Sequence, residues 1–380
     1  MKLESKLPQV GVTIFTVMTD LSNRYDAINL SQGFPDFDVH PELVKLVLKY
    51  MNSGKNQYAP MPGVMELRNK ISQKIHDLYG AVYSPEKEIT VTSGATESLF
   101  IVIATIIRPD DEVIIFEPAY DAYLPVVRLF GGNPRFMQLK PPGYQIDWNE
   151  VKDKISSKTK LIIINSPHNP TGSVLIPEDI SALIELTNGT DVLILSDEVY
   201  EHIIYDGLKH ESMCRYPELR ERSFVISSFG KTYHTTGWKI GYCSAPESLT
   251  NEFRRIKQFT TFATNTPIQY AYSEFLDRKE LYLNLPDFYQ KKRDTFLSLM
   301  ESSRFTALSC HGTYFNMMGY SSISDESDIE FSKRLIIEHG VAAIPPSVFY
   351  NDGKDYKTLR FCFAKKDQTL EKAAERLCKI

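Results

Sequence analysis

The chain has 380 residues, enough to bury a large core and to form one large and one small domain. Its formal net charge of −5 gives no electrostatic basis for binding nucleic acid or an anionic membrane, and no apolar run is long enough to span a membrane or to mark a signal peptide. The five scattered cysteines form no CxxC pair, which argues against a disulfide framework or a zinc site and favours a cytoplasmic location.

The middle of the chain predicts a mostly parallel sheet covered by helices. Short, continuous, β-branched runs are typical of strands buried on both faces, and segments with helical spacing, such as Ala95–Ile107 and Pro177–Thr187, lie between them. This alternation indicates an α/β fold. The predicted strands are Ile89–Thr92, Glu112–Phe116, Leu161–Asn165, Val192–Ser196, Phe224–Ser227 and Ile240–Ser244.

After residue 250 the pattern changes to that of a smaller α+β unit. We predict a helix over 287–303, a strand at Thr313–Met318, a helix at Ile329–His339 and a last strand at Thr358–Ala364. The first forty residues contain no full βα unit and are expected to pack with this unit. The predicted division is an N-terminal arm and part of the small domain in 1–45, a large domain in 46–285 and a C-terminal small domain in 286–380.

Asp197 and Lys231 each follow a predicted parallel strand, so both should lie at the rim where such sheets bind ligands. An amine and a carboxylate at one rim suit pyridoxal phosphate, which links to a lysine and needs its ring nitrogen held protonated. The string GKT around Lys231 is similar to the end of a nucleotide-binding P-loop, but Val225 stands where that loop requires glycine. Ser228 and Lys239 make an anion cradle around Lys231 plausible, and a surface lysine is the alternative.

Two further strings follow predicted strands. A predicted helix begins at the string SGATE. The free backbone N–H groups at Ala95 and Thr96 could bind a phosphate, or this helix start could be an ordinary cap without a ligand. In NSPHNPTG two prolines make the loop rigid, so Asn169 could present its amide to a ligand. His168, His202 and His234 lack metal-ligand spacing, and no metal site is predicted.

Several aromatic and charged side chains complete the set of candidates. Tyr200 follows Asp197 by three residues and would point the same way on a helical turn. Tyr120 and Tyr123 could stack on a planar ring or pack in the core. Arg360 lies inside an apolar strand, where it must either pair with an acid of its own domain or clamp a substrate carboxylate.

Taken together, these strings resemble the fold-type I pyridoxal phosphate aminotransferases of class I/II, over nearly the whole chain. Within that group the chain is similar to kynurenine/glutamine transaminases and bacterial methionine aminotransferases. The resemblance rests on the ordered strings SQGFPDF, QYAPMPGVMELR, SGATESLF, EPAYDAY, NSPHNPTG, SDEVY, SFGKTYHTTGWKIGY and LRFCFA.

The resemblance implies a role for each matching residue. Lys231 would link to the cofactor and act as the base, Asp197 would pair with the ring nitrogen, and Tyr200 and Asn169 would bond the ring hydroxyl. Tyr120 would stack on the ring. The phosphate would be held by Ala95, Thr96, Ser228, Lys239 and, from the neighbouring subunit of a homodimer with shared sites, Tyr58. A more distant branch of the superfamily has arginine where Lys239 stands, and a lysine neutralises phosphate only as a point charge.

The substrate side is implied less sharply. Gly33, through its backbone, would bind the substrate carboxylate together with Asn169 and Arg360. Without a second arginine to clamp a distal carboxylate, aspartate is disfavoured. Methionine and aromatic amino acids are favoured over glutamine and kynurenine, with a 2-oxo acid as acceptor and β-lyase cleavage as a side activity. A catalytically idle regulatory protein is the distant alternative. The candidates for an apolar wall are Phe15, Tyr123, His234 and Phe349.

Overall fold

The computed structural model describes residues 3–380. Its strands are β1 (Ile28–Asn29), β2 (Ile89–Thr92), β3 (Glu112–Glu117), β4 (Asn133–Gln138), β5 (Thr159–Asn165), β6 (Leu193–Asp197), β7 (Ser223–Ser228), β8 (Gly241–Ser244), β9 (Thr306–Ala307), β10 (Phe315–Gly319), β11 (Val341–Ala342) and β12 (Thr358–Cys362).

The helices begin with α1 (Ile14–Arg24) and end with α15 (Asp367–Leu377), and short 3-10 turns lie at Met213–Arg215, Thr236–Trp238 and Pro346–Phe349. The others are α2 (Pro41–Asn52), α3 (Met65–Tyr79), α4 (Ala95–Ile106), α5 (Tyr123–Leu129), α6 (Trp148–Lys154), α7 (Pro177–Thr187), α8 (Pro217–Arg220), α9 (Phe229–Thr232), α10 (Glu247–Lys257), α11 (Thr266–Phe275), α12 (Glu280–Leu283), α13 (Leu285–Leu299) and α14 (Asp328–His339).

A seven-stranded sheet forms the centre of the molecule in the order β2-β8-β7-β6-β5-β3-β4. Strand β8 runs antiparallel to β2 and β7, and the other neighbours are parallel. In β5, Leu161 and Ile163 join one buried cluster while Ile162 and Ile164 join the other. Because both faces of the sheet are covered at its centre, the run Leu161–Ile164 is continuously apolar. The predicted α/β class with a helix-covered, mostly parallel sheet is confirmed.

Two smaller sheets join the beginning of the chain to its end. Strands β12, β10 and β9 form an antiparallel sheet, and β1 pairs in parallel with β11. The Cys362 amide also donates to the Leu30 carbonyl over 2.8 Å. The first residues therefore pack with the C-terminal segment, as expected. The division at residues 45 and 285 stays a prediction.

Strand β4 was absent from the sequence prediction because its pattern is weak. It lies at the sheet edge, exposed and partly buried residues alternate over its first four positions, and it contains Pro134 and Arg135. Proline is tolerated on an edge strand because it has no N–H to contribute to a ladder. Within the described part of the chain, no helix combines the length and apolarity needed to cross a membrane. In residues 3–380, His, Cys, Asp and Glu side chains form no cluster that could hold a metal ion.

Candidate active site

A cavity of about 250 Å³ lies beyond the carboxyl ends of the central parallel strands, and its other walls come from α1 and the loop after β1 in the N-terminal segment and from β10 and β12 in the C-terminal segment. Most of the predicted site residues meet there. The predicted residues that line it are Phe15, Gly33, Ala95, Thr96, Tyr120, Asn169, Asp197, Tyr200, Ser228, Lys231, Lys239 and Arg360.

Asp197 ends β6 and is buried at the base of the cavity. Its Oδ2 accepts a hydrogen bond of 2.7 Å from the Tyr123 hydroxyl, and its Oδ1 accepts one of 3.3 Å from the Val199 amide. Burial raises the pKa of Asp197 to about 6, although these donors and Lys231 oppose the rise. The carboxylate is therefore held in one orientation and stays largely ionised at neutral pH.

Lys231 lies on the short helix α9, directly after β7. Its Nζ donates to the Gly33 carbonyl over 3.1 Å and to the Tyr314 hydroxyl over 2.8 Å. Burial lowers the pKa of Lys231 to about 8, because desolvation disfavours the charged amine. About one tenth of this amine is therefore neutral at pH 7, far more than for an ordinary lysine, and the neutral form is what a nucleophile or general base requires.

The first turn of helix α4 forms an anion cradle at another wall of the cavity. Its N-terminus has no side-chain cap, so its first backbone N–H groups, at Ala95 and Thr96, are available to a ligand. Gly94 has φ +76°, and a Cβ at this position would lie 3.1 Å from the Lys239 Nζ. Glycine therefore lets the lysine approach the helix end closely, and Ser228 adds a hydroxyl.

Arg360 is buried within β12 and has no salt-bridge partner among residues 3–380. Its Nη1 donates to the Asn169 Oδ1 and its Nη2 to the Ser31 carbonyl, each over 2.9 Å, while its Nε has no partner in that same range. The guanidinium lies 3.9 Å from the centroid of the Phe315 ring. Burial lowers the pKa of Arg360 to about 10, which still leaves it charged. The sequence left two alternatives for Arg360, an ion pair with an acid of its own domain and a clamp for a substrate carboxylate. The structure shows no such ion pair among residues 3–380.

The loop that carries Asn169 is fixed to strand β6. The Asn169 amide donates to the Asn165 Oδ1 over 2.8 Å, and the Asn165 Nδ2 donates to the Asp197 carbonyl over 2.9 Å. Tyr200, buried beside this loop, packs edge-on against Tyr314. The amide and the phenol are thus placed on the same wall as the carboxylate.

Four predicted residues lie outside the cavity lining. Tyr58 is 86% exposed and packs edge-on against Phe262. Tyr123 begins helix α5, and its side chain turns inward and donates to Asp197. It was expected to line the cavity wall, and it does not. The remaining two are His234, which packs against Phe37, and Phe349, which packs behind Phe15.

Sequence reasoning missed several residues that the fold brings to the site. Gln32 and Asn165 line the cavity, and both belong to strings quoted for the resemblance, so their position could have been found. Phe315 also lines the cavity, and the hydroxyl of Tyr314, the residue before it, accepts a hydrogen bond from Lys231. These two aromatic residues lie near the start of the predicted strand Thr313–Met318, which belongs to the three-stranded sheet. No local sequence pattern indicates that they lie next to Lys231.

Comparison with known proteins gives this arrangement a family. Residues 25–377 match the family described as Aminotransferase class I and II. The chain belongs to this family. The sequence of this aminotransferase is 48% identical over 375 residues to that of the methionine aminotransferase of Escherichia coli (strain K12), covering 98% of this chain and 97% of that relative. It is 34% identical over 413 residues to a kynurenine–oxoglutarate transaminase of Dictyostelium discoideum, covering 97% and 94% of the two chains.

Solved structures agree with this assignment. The crystal structure of YbdL from Escherichia coli, for which a methionine aminotransferase function has been identified, superposes with a TM-score of 0.98 at 48% identity, covering 100% of both chains. The predicted resemblance to fold-type I aminotransferases is therefore confirmed, and the chain is a transaminase enzyme.

Proposed function

We propose that this aminotransferase uses pyridoxal phosphate to transfer the amino group of methionine or an aromatic amino acid to a 2-oxo acid. The proposal rests on three groups that line a single cavity. They are the Lys231 amine, whose pKa is lowered by burial, the buried Asp197 carboxylate and the buried Arg360 guanidinium, which has no ion-pair partner in the described residues. These are the groups that the chemistry needs for proton transfer, for the cofactor ring and for a substrate carboxylate.

The residues present fit the proposed cofactor. The uncapped first turn of α4, with Lys239 and Ser228, would hold its phosphate. Asp197 would hold the ring nitrogen in its protonated form, and the side chains of Asn169 and Tyr200 would bond the ring hydroxyl. When bound, the cofactor supplies a ring that accepts the charge developing at the substrate α-carbon.

Each protein residue then has a defined task. Arg360 binds the substrate carboxylate through a charge-assisted pair of hydrogen bonds, with Asn169 beside it, and this fixes the orientation of the α-carbon. Lys231 takes the proton from the α-carbon of the amino acid in the first half-reaction and supplies a proton to the α-carbon of the 2-oxo acid in the second. Asp197 stays ionised, so the ring nitrogen keeps its proton. The reaction proceeds in two half-reactions with ping-pong kinetics.

The substrate preference is supported by the cavity wall. Apolar side chains, including Phe15, Leu99, Val199 and Phe315, line it, and Arg360 is the one arginine among the lining residues of the described chain. An apolar wall favours methionine or an aromatic side chain over one that ends in a carboxylate. The Escherichia coli relative is named for methionine. Kynurenine or glutamine is the alternative, with β-lyase cleavage of cysteine conjugates, and the Dictyostelium relative is named for kynurenine.

We also propose a cytoplasmic homodimer in which Tyr58 reaches the phosphate site of the partner subunit. Its support is the high exposure of two aromatic side chains, with Tyr58 86% and Phe259 84% exposed in the single chain. Light scattering would measure the mass. Mixing Tyr58→Ala with Lys231→Ala tests sharing, because a hybrid dimer then regains one intact site.

The proposed function is tested by absorption spectroscopy and by one substitution. The purified protein should show a visible band that L-methionine bleaches and a 2-oxo acid restores. Lys231→Ala should remove the band and abolish turnover, while Lys372→Ala, an exposed lysine on α15, should change neither. Full activity in Lys231→Ala would refute the proposal. A panel of amino donors assayed for 2-oxo acid formation separates methionine from kynurenine and glutamine.

A further inference from the structure

The amine of Lys231 is bonded by two groups that come from outside the central sheet. Gly33 lies in the loop after β1, and Tyr314 directly precedes β10. We propose that Tyr314, together with the Gly33 carbonyl, orients the unlinked amine of Lys231 so that its lone pair faces the cavity. Tyr314 is thus a positioning residue for the general base. This inference rests on the proposed function and adds a residue to it.

The three polar atoms form a closed triangle. Lys231 Nζ lies 2.8 Å from the Tyr314 hydroxyl and 3.1 Å from the Gly33 carbonyl, and the Tyr314 hydroxyl donates to the same carbonyl over 2.5 Å. The phenol hydrogen is used on Gly33, so its oxygen can only accept from Lys231. A neutral primary amine has two N–H bonds and one lone pair. With both N–H bonds used, the lone pair is the remaining position on the nitrogen, and Lys231 lines the cavity.

The side chain of Tyr314 is held rigidly. It is fully buried, and its ring packs edge-on against Tyr200 at 5.2 Å and against Phe315 at 4.9 Å. Burial raises the pKa of the Tyr314 phenol well above its usual range, so the phenol stays neutral and acts only through hydrogen bonds. The carbonyl is equally constrained, because a Cβ at Gly33 would lie 2.8 Å from the Phe315 ring.

The chain offers a matched control for Tyr314→Phe. Tyr289 is also fully buried and its ring lies 5.7 Å from that of Tyr314, but its hydroxyl has no partner in the described part of the chain. Tyr289→Phe therefore removes a neighbouring phenol without touching Lys231. Any effect that both variants share reflects packing rather than orientation of the amine.

The first measurement is a single half-reaction with L-methionine, followed by loss of the visible band in a stopped-flow instrument. We expect Tyr314→Phe to slow the proton-transfer step about tenfold, because one hydrogen bond that orients the base is lost, while the dissociation constant for methionine changes less than about twofold. With α-deuterated methionine, the isotope effect should be at least as large as in the unmodified enzyme. Tyr289→Phe should match the unmodified enzyme in all three quantities.

The second measurement needs no turnover. Cofactor-free protein is mixed with pyridoxal phosphate across a pH series, and the rate at which the band appears reports the pKa of the free Lys231 amine. Removing the Tyr314 oxygen takes an acceptor from the protonated amine, so this pKa should fall in Tyr314→Phe and not in Tyr289→Phe. Should Tyr314→Phe fail to fold, Tyr314→3-fluorotyrosine keeps the ring and weakens the oxygen as an acceptor, and the same direction is expected.

The outcomes separate the two proposals. If the unmodified protein forms the band and turns over, but Tyr314→Phe and Tyr289→Phe behave alike in both measurements, the positioning role is wrong and the proposed function stands. If the unmodified protein forms no band with pyridoxal phosphate, the proposed function fails, and the role of Tyr314 fails with it.

Discussion

Replacing Tyr123 with phenylalanine removes the hydrogen bond of 2.7 Å that its hydroxyl donates to the Asp197 Oδ2. Tyr123 is 3% exposed and does not line the cavity, so this substitution leaves the cavity wall unchanged. The groups around the carboxylate are Tyr120, Tyr200, Lys231 and Glu198, and none of them bonds its Oδ2 in the described structure. The variant therefore isolates one donor to the carboxylate that is proposed to hold the cofactor ring.

The expected magnitude follows from that bond. A hydrogen bond to a charged group contributes about 1.5–3 kcal/mol, and one pKa unit corresponds to about 1.4 kcal/mol. The pKa of Asp197 is already raised by burial to about 6. Losing a donor disfavours the ionised form further, so the pKa should rise by roughly one to two units. For a rise of about 1.5 units, the ionised fraction at pH 7 falls from about nine tenths to about one quarter.

The assay is the dissociation constant of pyridoxal phosphate, measured by titrating the cofactor-free protein at pH 6, 7 and 9. Relative to the unmodified protein, Tyr123→Phe should bind about fifteenfold more weakly at pH 6, about fourfold more weakly at pH 7 and nearly equally at pH 9. Tyr233→Phe is the control, because this buried tyrosine has no partner for its hydroxyl among residues 3–380. A deficit in Tyr123→Phe that does not change with pH would refute the reasoning.

Two further substitutions test other buried charges. Arg360→Met should raise KM for the amino acid about 100-fold because the substrate carboxylate loses its partner, while the melting temperature changes little, since the loss of two hydrogen bonds to Asn169 and Ser31 is offset by the removal of a buried charge that has no ion-pair partner. Lys74→Met should lower the free energy of unfolding in urea by about 3–5 kcal/mol, because it strands Glu201, which Lys74 bonds over 2.6 Å. Burial alone would raise the pKa of Glu201, but the charge of Lys74, with hydrogen bonds from Lys74 and Tyr79, outweighs burial and holds this pKa well below its usual range. In the variant, Lys74 no longer opposes burial, so the pKa of Glu201 should lie above its usual value of 4.5. The buried carboxylate then takes up a proton as the pH falls, and the deficit should be smaller at pH 5 than at pH 8.

Much of the fold could be predicted because its strands are buried on both faces. Helix Pro177–Thr187 and strand Ile89–Thr92 have the predicted bounds, and the other predicted strands of the central sheet differ by one or two residues at their ends. A continuous apolar run is a strong signal for such a strand. Edge strand β4 gives no such signal, because only one of its six residues, Met137, is buried, so a core constrains few of their identities.

The site could be predicted wherever a motif follows a strand of the central sheet. Asp197, Lys231 and Asn169 are of this kind, since parallel strands bring their carboxyl ends to one rim. Tyr314 approaches from another sheet, and only the tertiary fold places it beside Lys231. Tyr123 belongs to the string EPAYDAY, but the direction of its side chain depends on where α5 begins. Sequence patterns place such a helix start only to within a few residues.

The charged residues that line the cavity are Lys231, Lys239, Arg360 and a single carboxylate, Asp197, whereas the whole chain carries a formal net charge of −5. Before the cofactor binds, the cavity is therefore positively charged, although the chain as a whole is negative. Low-dielectric walls focus such a field and draw anions inward, and dissolved salt screens it. Pyridoxal phosphate enters as an anion, and its phosphate would offset much of this positive charge once bound. Added salt should thus slow the capture of pyridoxal phosphate by the cofactor-free protein, whereas capture of substrates by the loaded enzyme should depend less on ionic strength.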